Sequence, residues 1–162
     1  MEIHSGNIRA VLMYYYRFKR QFIACSEVKT DCNELSDVLV SSKKHIFEIE
    51  IKTSKQDLIK GEARKQKHIR PNEKRLVNKF FICVPTELVE DAKLWIAMTN
   101  PNYGLIEFVT QNAKAICYSY ETLLRIHFDA QVLQPIYYES LKTKMIKRLS
   151  SALTNEYLGR IK

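Results

Sequence analysis

The nine residues His45–Thr53, HIFEIEIKT, constrain the fold of this chain more than any other stretch. Strict alternation puts Ile46, Glu48, Glu50 and Lys52 on one side of an extended strand and Phe47, Ile49 and Ile51 on the other. The second set is wholly apolar, as a strand in the middle of a sheet requires. The first set places carboxylates and an ammonium on the same core strand, which is costly unless something compensates them. The strand therefore poses a structural question and a chemical one.

The flanking segments supply the structural setting. Asn7–Arg20 has Ile8, Val11, Leu12, Tyr15 and Phe18 at helical spacing, with Ser5 as a candidate N-cap. Gln21–Val28 and Leu35–Ser41 read as two strands, and Ser42–Lys44 as the turn into the third. Ser54 starts a helix running to about Lys67, with Asp57 completing a capping-box-like pair. Lys79–Val84 reads as a strand, Thr86–Ala92 as a short helix, and Leu94–Met98, Gly104–Val109 and Lys114–Tyr118 as short strands. Tyr137–Tyr157 reads as a helix with Leu141, Met145, Leu149 and Ala152 on one stripe, and residues 119–136 yield no element. This order predicts a mixed α/β domain. A length of 162 residues suits one domain, with a core over 1–118 and a helical extension over 119–162 packed on it.

The chain carries 26 Lys+Arg against 18 Asp+Glu, a net charge of +8. That surplus favours a polyanionic partner without choosing among DNA, RNA and an anionic membrane surface. Cys25, Cys32, Cys83 and Cys117 form no CxxC pair, which argues against a zinc ribbon or a thioredoxin motif. No secretory leader is visible at the N-terminus and no apolar run is long enough for a membrane span. The expectation is free thiols in a reducing cytoplasm, with Cys25, Cys83 and Cys117 buried. His4, His45, His68 and His127 lack metal-ligand spacing, and neither a Gly-rich phosphate loop nor a nucleophile elbow is present.

The chemical question has a specific answer in the neighbourhood of the central strand. Glu50 and Lys52, two positions apart, leave the same face. Asp37 lies thirteen positions before Glu50, on a strand expected to be its antiparallel neighbour. A divalent cation with hard oxygen ligands offsets the cost of burying such carboxylates. Bound metal activates water for attack on a phosphoryl group, and a nearby ammonium stabilises developing charge. The bare Glu-x-Lys triplet is equally the pattern of a solvated strand. Asp37, the apolar opposite face and the basic helix that follows set this instance apart.

The run SDVLVSSKKHIFEIEIKTSKQDL resembles the core of the PD-(D/E)xK, or restriction-endonuclease-like, nuclease superfamily, in particular its small bacterial and phage members of the MmcB-like branch. KGEARKQKHIR is similar to the basic stretch that follows that core, NKFFICVP to the next strand and GLIEFV to a later one, over roughly residues 7–110. The resemblance implies a central mixed sheet flanked by helices. It implies Mg²⁺ or Mn²⁺ held by Asp37, Glu50 and the carbonyl of Ile51, with Lys52 assisting the attacking water. Ser36 replaces the proline of the signature. The glutamate that many members carry on the first helix is absent, which leaves Glu27 as a substitute, and Glu48 as either an outer ligand or a flanking charge.

The resemblance also turns Lys55, Lys60, Arg64, Lys65, Lys67, His68 and Arg70 from a plain solvated face into candidate phosphate contacts, with Gln66 a further match to some relatives. Asp57 reads as a helix cap. Tyr14–Tyr16 fit either a core or a base-stacking surface. Three functions follow: a metal-dependent nuclease acting on DNA, with RNA also possible as substrate; a nucleic-acid-binding module on the same fold without catalysis; and a basic adaptor docking a protein through the terminal helix. Relatives of this fold are often dimers, so the resemblance allows a homodimer here.

Overall fold

The computed structural model describes residues 3–30, 34–65, 68, 76–113 and 120–160. It is a mixed α/β fold built on a six-stranded sheet flanked by helices. The strands are β1 (Ile23–Cys25), β4 (Val38–Ser41), β5 (Ile46–Ile51), β6 (Lys79–Pro85), β7 (Gly104–Phe108) and β8 (Leu124–Phe128), in the order β1-β4-β5-β6-β7-β8. Two short strands, β2 (Val28–Lys29) and β3 (Leu35–Ser36), form a separate antiparallel pair. β5 is central: it pairs with β4 antiparallel and with β6 parallel. β6 and β7 are also parallel, and β8, reached after the short helix α4 (Thr110–Ala113), closes the edge antiparallel.

Parallel neighbours need crossovers. The β5–β6 crossover opens with a helical segment, α2, wound as a π turn over Asp57–Gly61 and tightened to a 3-10 turn over Glu62–Arg64. The β6–β7 crossover carries α3 (Val89–Thr99). Both lie on one face of the sheet, where Leu58, Phe80, Ile82, Trp95, Tyr103 and Leu105 form one core. The other face is covered by α1 (Ser5–Tyr14), whose Ile8, Val11 and Leu12 pack on Val38, Val40, Phe47, Ile49 and Ile51. A third core seats the terminal helix α5 (Glu139–Arg160) on the sheet edge through Leu141 and Met145, against Cys25, Leu39 and Ile46. The alternation of His45–Thr53 thus resolves as expected: Phe47, Ile49 and Ile51 meet α1, and the charged set faces the α2 side.

Several expected elements differ in the structure. Leu94–Met98 is helical, inside α3. A five-residue apolar run carries no period of its own, but Ala92, Trp95 and Ile96 are buried while Leu94 and Met98 are exposed, which is helical spacing. α1 begins at Ser5 instead of being capped by it, and Asn7 Oδ1 accepts the His4 N–H at 3.1 Å. The helix then continues as a π turn over Tyr15–Lys19. Gln21–Val28 is two strands, because Glu27 adopts a left-handed φ of 57° and turns the chain out of the sheet. Leu35–Ser41 breaks in register with it, at Asp37. Residues 119–136 contribute β8, so the division at 118 falls inside the sheet. Lys114–Tyr118, Cys32 and Cys117 lie outside the described residues.

Cys25 and Cys83 are buried free thiols, and burial pushes Cys25 up to about 12. No helix among the described residues is long and apolar enough to cross a membrane. Gly104 is required by close approach, since a Cβ there would sit 2.3 Å from the Phe81 ring and 2.8 Å from the Ala130 backbone nitrogen.

Asn78, fully buried, ties the start of β5 to the segment leading into α5. Its Oδ1 accepts the Ile46 N–H at 2.7 Å, and its Nδ2 donates to the carbonyls of Gln134 and Ile136, both at 2.9 Å. Asn78→Ala strands these groups and is expected to cost about 2–4 kcal/mol in urea unfolding. A loss under 1 kcal/mol would show that the knot is dispensable.

Candidate active site

The residues singled out on β5 converge at its C-terminal end, where the parallel strands β5 and β6 open toward α2. Glu50 sits opposite Ile82 of β6, and Lys52 follows immediately, its N–H donating to the Cys83 carbonyl at 3.0 Å. Asp37 enters from the break between β3 and β4. Its Oδ2 accepts the Ile51 N–H at 2.9 Å and its Oδ1 accepts from Arg9 at 3.1 Å. Asp37, Ile51, Glu50 and Lys52 therefore form one group of neighbours. The backbone break at Asp37 lets a side chain from the adjacent strand satisfy the last amide of the central one.

The charges here are buried and paired. Glu50 and Lys52 are 1% and 5% exposed, and Glu62 of α2 is 0% exposed. Lys52 Nζ lies 2.9 Å from Glu62 Oε2, 3.4 Å from Asp57 and 3.8 Å from Glu50 Oε2. Lys65 Nζ forms a close ion pair with Glu50 and another, at 2.9 Å, with Glu62. The second oxygen of Glu62 meets His68 Nε2 at 2.6 Å, and His68 Nδ1 meets the Tyr103 hydroxyl at 2.9 Å. His68 is itself enclosed by the rings of Phe80, Trp95 and Tyr103.

These contacts set the proton affinities. Burial raises the pKa of Asp37, and the charge of Glu50 raises it further, against the lowering pull of the Ile51 N–H, Lys52 and Arg9. The Arg9 ion pair alone would predict a depressed value. Arg9 is partly solvated and engages only one oxygen, so burial and the like charge dominate. Burial alone would lower Lys52, but Glu62, Glu50 and Asp57 outweigh it and hold the ammonium protonated above its ordinary range.

Not every expected residue joins the group. Glu48 is buried one turn of the pleat below, accepting from Thr30 at 3.3 Å. Glu27 sits on the turn after β1, paired with Arg148 of α5 at 2.7 Å and with Arg9 at 3.7 Å. Lys55 is committed to Asp91 at 2.7 Å. Lys60 and Arg64 are exposed beside the site, as phosphate contacts would need to be. Lys65 and His68 instead turn toward the site, Lys65 onto Glu50 and Glu62 and His68 onto Glu62. Lys67, Arg70 and Gln66 lie outside the described residues. Asp57 does act as the capped residue, its N–H donating to Ser54 Oγ at 3.2 Å, while its carboxylate also reaches Lys52.

Two participants escaped the sequence reading. Glu62 is the sole carboxylate among residues 58–70, an isolated acid in a basic segment, and that isolation was the available signal. Arg9 offered none, since its reach to Asp37 depends on how α1 crosses the sheet. Farther along the same sheet face, Glu107 is held by Thr86 at 2.7 Å, His127 at 2.8 Å and Arg125 at 3.2 Å. Burial opposes its ionisation, but these partners lower its pKa overall.

As a metal centre, the donor set would be the carboxylates of Asp37 and Glu50 with the Ile51 carbonyl. Among the described residues no three His, Cys, Asp or Glu side chains are grouped so as to hold an ion. Two carboxylates with water and substrate phosphate are a sufficient set for Mg²⁺. Both carboxylates already attract cationic nitrogen, Arg9 on Asp37 and Lys65 on Glu50, so the electrostatics of the pair suit a cation.

Two outcomes follow for stability. Glu62→Ala leaves Lys52 buried beside fewer counter-charges and is expected to cost about 3–5 kcal/mol, with Lys52→Met in the same chain restoring part of it in thermal unfolding. Asp37 binds its proton more tightly folded than unfolded, so its ionisation subtracts stability as pH rises through the ordinary aspartate range. Asp37→Asn is therefore expected to raise Tm at pH 7, with the gain vanishing below the ordinary aspartate pKa. A gain that instead grows on acidification would contradict this sign.

No family model matches the sequence, and no curated protein matches it. Among solved structures the chain is similar to the SPO1766 protein of unknown function from Silicibacter pomeroyi, with 16% identity and a TM-score of 0.60 over 97% of this chain and 91% of that one. That likeness concerns the fold.

Proposed function

We propose that the chain is a Mg²⁺- or Mn²⁺-dependent nuclease of the PD-(D/E)xK type that hydrolyses DNA phosphodiester bonds. The observation that carries this reading is the meeting of Asp37, the Ile51 backbone and the buried Glu50–Lys52 pair at the end of the central strand. Ile51 donates its N–H to Asp37, and in an extended strand the carbonyl of the same residue leaves on the same edge. Asp37, Glu50 and that carbonyl would hold the metal, which when bound supplies an acidified water and charge compensation for the phosphoryl oxygens.

The chain's own residues account for the rest. Lys52, kept protonated by Glu62, Glu50 and Asp57, places a fixed positive charge where the attacked phosphate gains negative charge. Glu62 fixes the direction of that ammonium. Lys60 and Arg64 stand exposed on α2 beside the group and suit backbone phosphates, a contact that weakens with salt. Lys65 pairs with Glu50 and Glu62, and would be released toward phosphate if a metal neutralised Glu50.

A second reading has one observation in its favour. If Arg9 and Lys65 neutralise the carboxylates permanently, the chain is a nucleic-acid-binding module without catalysis. Labelled single-stranded, duplex and branched DNA incubated with Mg²⁺, Mn²⁺ or EDTA separates the two. Metal-dependent cleavage is expected, reduced at least about 10²-fold in Lys52→Ala and in Glu50→Gln, each checked for an intact fold by circular dichroism. Binding without cleavage under every metal condition would leave the module reading in its place.

A further inference from the structure

At the opposite end of β5, on the α1 face of the sheet, lies a cavity of about 310 Å³. It is bounded by the π turn after α1 and by the first residues of β5 and β6. Phe47 pairs in register with Lys79 there, five residues before Lys52, or roughly 16 Å along the strand. The cavity is thus separate from the carboxylate group in both position and face.

Its walls are aromatic: Tyr15, Tyr16, Phe22, Phe47 and Phe81. The Tyr16, Phe47 and Phe81 rings meet edge to face, with centroids 5.3 and 5.6 Å apart, and this rigid cluster fixes the floor. Polar side chains without a hydrogen-bond or ion-pair partner among the described residues line the same space. Tyr16 is 6% exposed, yet its hydroxyl makes no hydrogen bond with the described residues. The His45 ring makes none either. Arg20 lies over the Phe22 ring at 5.7 Å and forms no ion pair among the described residues. Lys79, by contrast, is already neutralised by Asp129 at 2.9 Å. Arg20, Lys79 and Asp129 are the Arg, Lys and Asp side chains lining the cavity, and among the described residues Arg20 is the one of them without an ion-pair partner.

We infer that this cavity binds a single nucleotide, its base against the aromatic walls and its phosphate on Arg20. Stacking on Tyr and Phe rings accepts any base, and a guanidinium at the lip matches phosphate geometry. Tyr16 and His45 offer hydrogen bonds to the ring heteroatoms. The volume falls at the small end of ligand pockets, which suits one nucleotide and excludes a duplex. The source is either a free mononucleotide or an unpaired nucleotide of a DNA strand.

The test uses the full chain labelled with ¹⁵N, in EDTA, titrated with deoxyadenosine monophosphate, deoxyadenosine, inorganic phosphate and a short single-stranded oligonucleotide. The monophosphate is expected to shift amides of residues 15–22 and 45–47. Arg20→Ala should weaken it about tenfold and Tyr16→Phe, which keeps the ring in place, about threefold. Deoxyadenosine should be indifferent to Arg20→Ala. An oligonucleotide that binds tighter than the monophosphate, still through Arg20, identifies the occupant as part of a strand; equal or weaker binding identifies a free nucleotide. No shift at these amides, or shifts unaffected by both variants, overturns the inference. Because metal is excluded, that result leaves the cleavage reading untouched.

Discussion

Two carboxylates and two ammonium groups, Glu50, Glu62, Lys52 and Lys65, are packed where the central strand meets α2, and the local architecture depends on their balance. No pair among them is self-sufficient. Glu62 bridges both lysines, Lys65 bridges both glutamates, and Lys52 is drawn toward three acids at once. A buried ion pair gains little over apolar packing, but removing one member leaves an uncompensated charge. The network therefore specifies more than it stabilises: it holds α2 in one rotation over β5. His68 extends it to Tyr103 and the aromatic core beneath α3, so both crossovers on that face are oriented by the same charges.

The sheet explains why the group forms at this end of β5. With β6 parallel on one side, the C-terminal end of β5 opens toward a crossover, where backbone groups run out of strand partners. The paired breaks at Glu27 and Asp37 peel β2 and β3 away from the main sheet, and the freed edge of β5 is met by the Asp37 carboxylate instead of a carbonyl. A regular strand from Leu35 to Ser41 would have given Ile51 an ordinary ladder partner and set Asp37 directly opposite the buried Glu50.

Much of this was legible in one alternating segment. His45–Thr53 carried the central strand, its two faces and the neighbours Glu50 and Lys52, because a period of two maps directly onto space. Ser54 and Asp57 carried the start of α2 for the same reason: a cap is a local interaction. Leu94–Met98 was not legible, since a short apolar run is compatible with either period and only burial by β6 and β7 decides it. Glu27 and Asp37 were visible as acids but not as chain breaks: Glu is not a turn former, and Asp37, though a turn-favouring type, is followed by the branched run Val38–Val40 that reads as strand. The inward commitment of Lys65 and His68 depends on Glu62, ten positions beyond Lys52, and no local rule connects those two.

One consequence joins the terminal helix to the carboxylate group. Arg148 of α5 holds Glu27, Glu27 approaches Arg9, and Arg9 donates to Asp37. Each of these contacts is partly solvated and contributes little to stability singly. The chain of ion pairs nevertheless links α5 to α1 and α1 to the strand break. Arg9 reaches one carboxylate oxygen of Asp37 and the Ile51 N–H the other. Asp37 stays under-compensated, with burial and the charge of Glu50 prevailing over its partners. A carboxylate in that condition is predisposed toward additional positive charge.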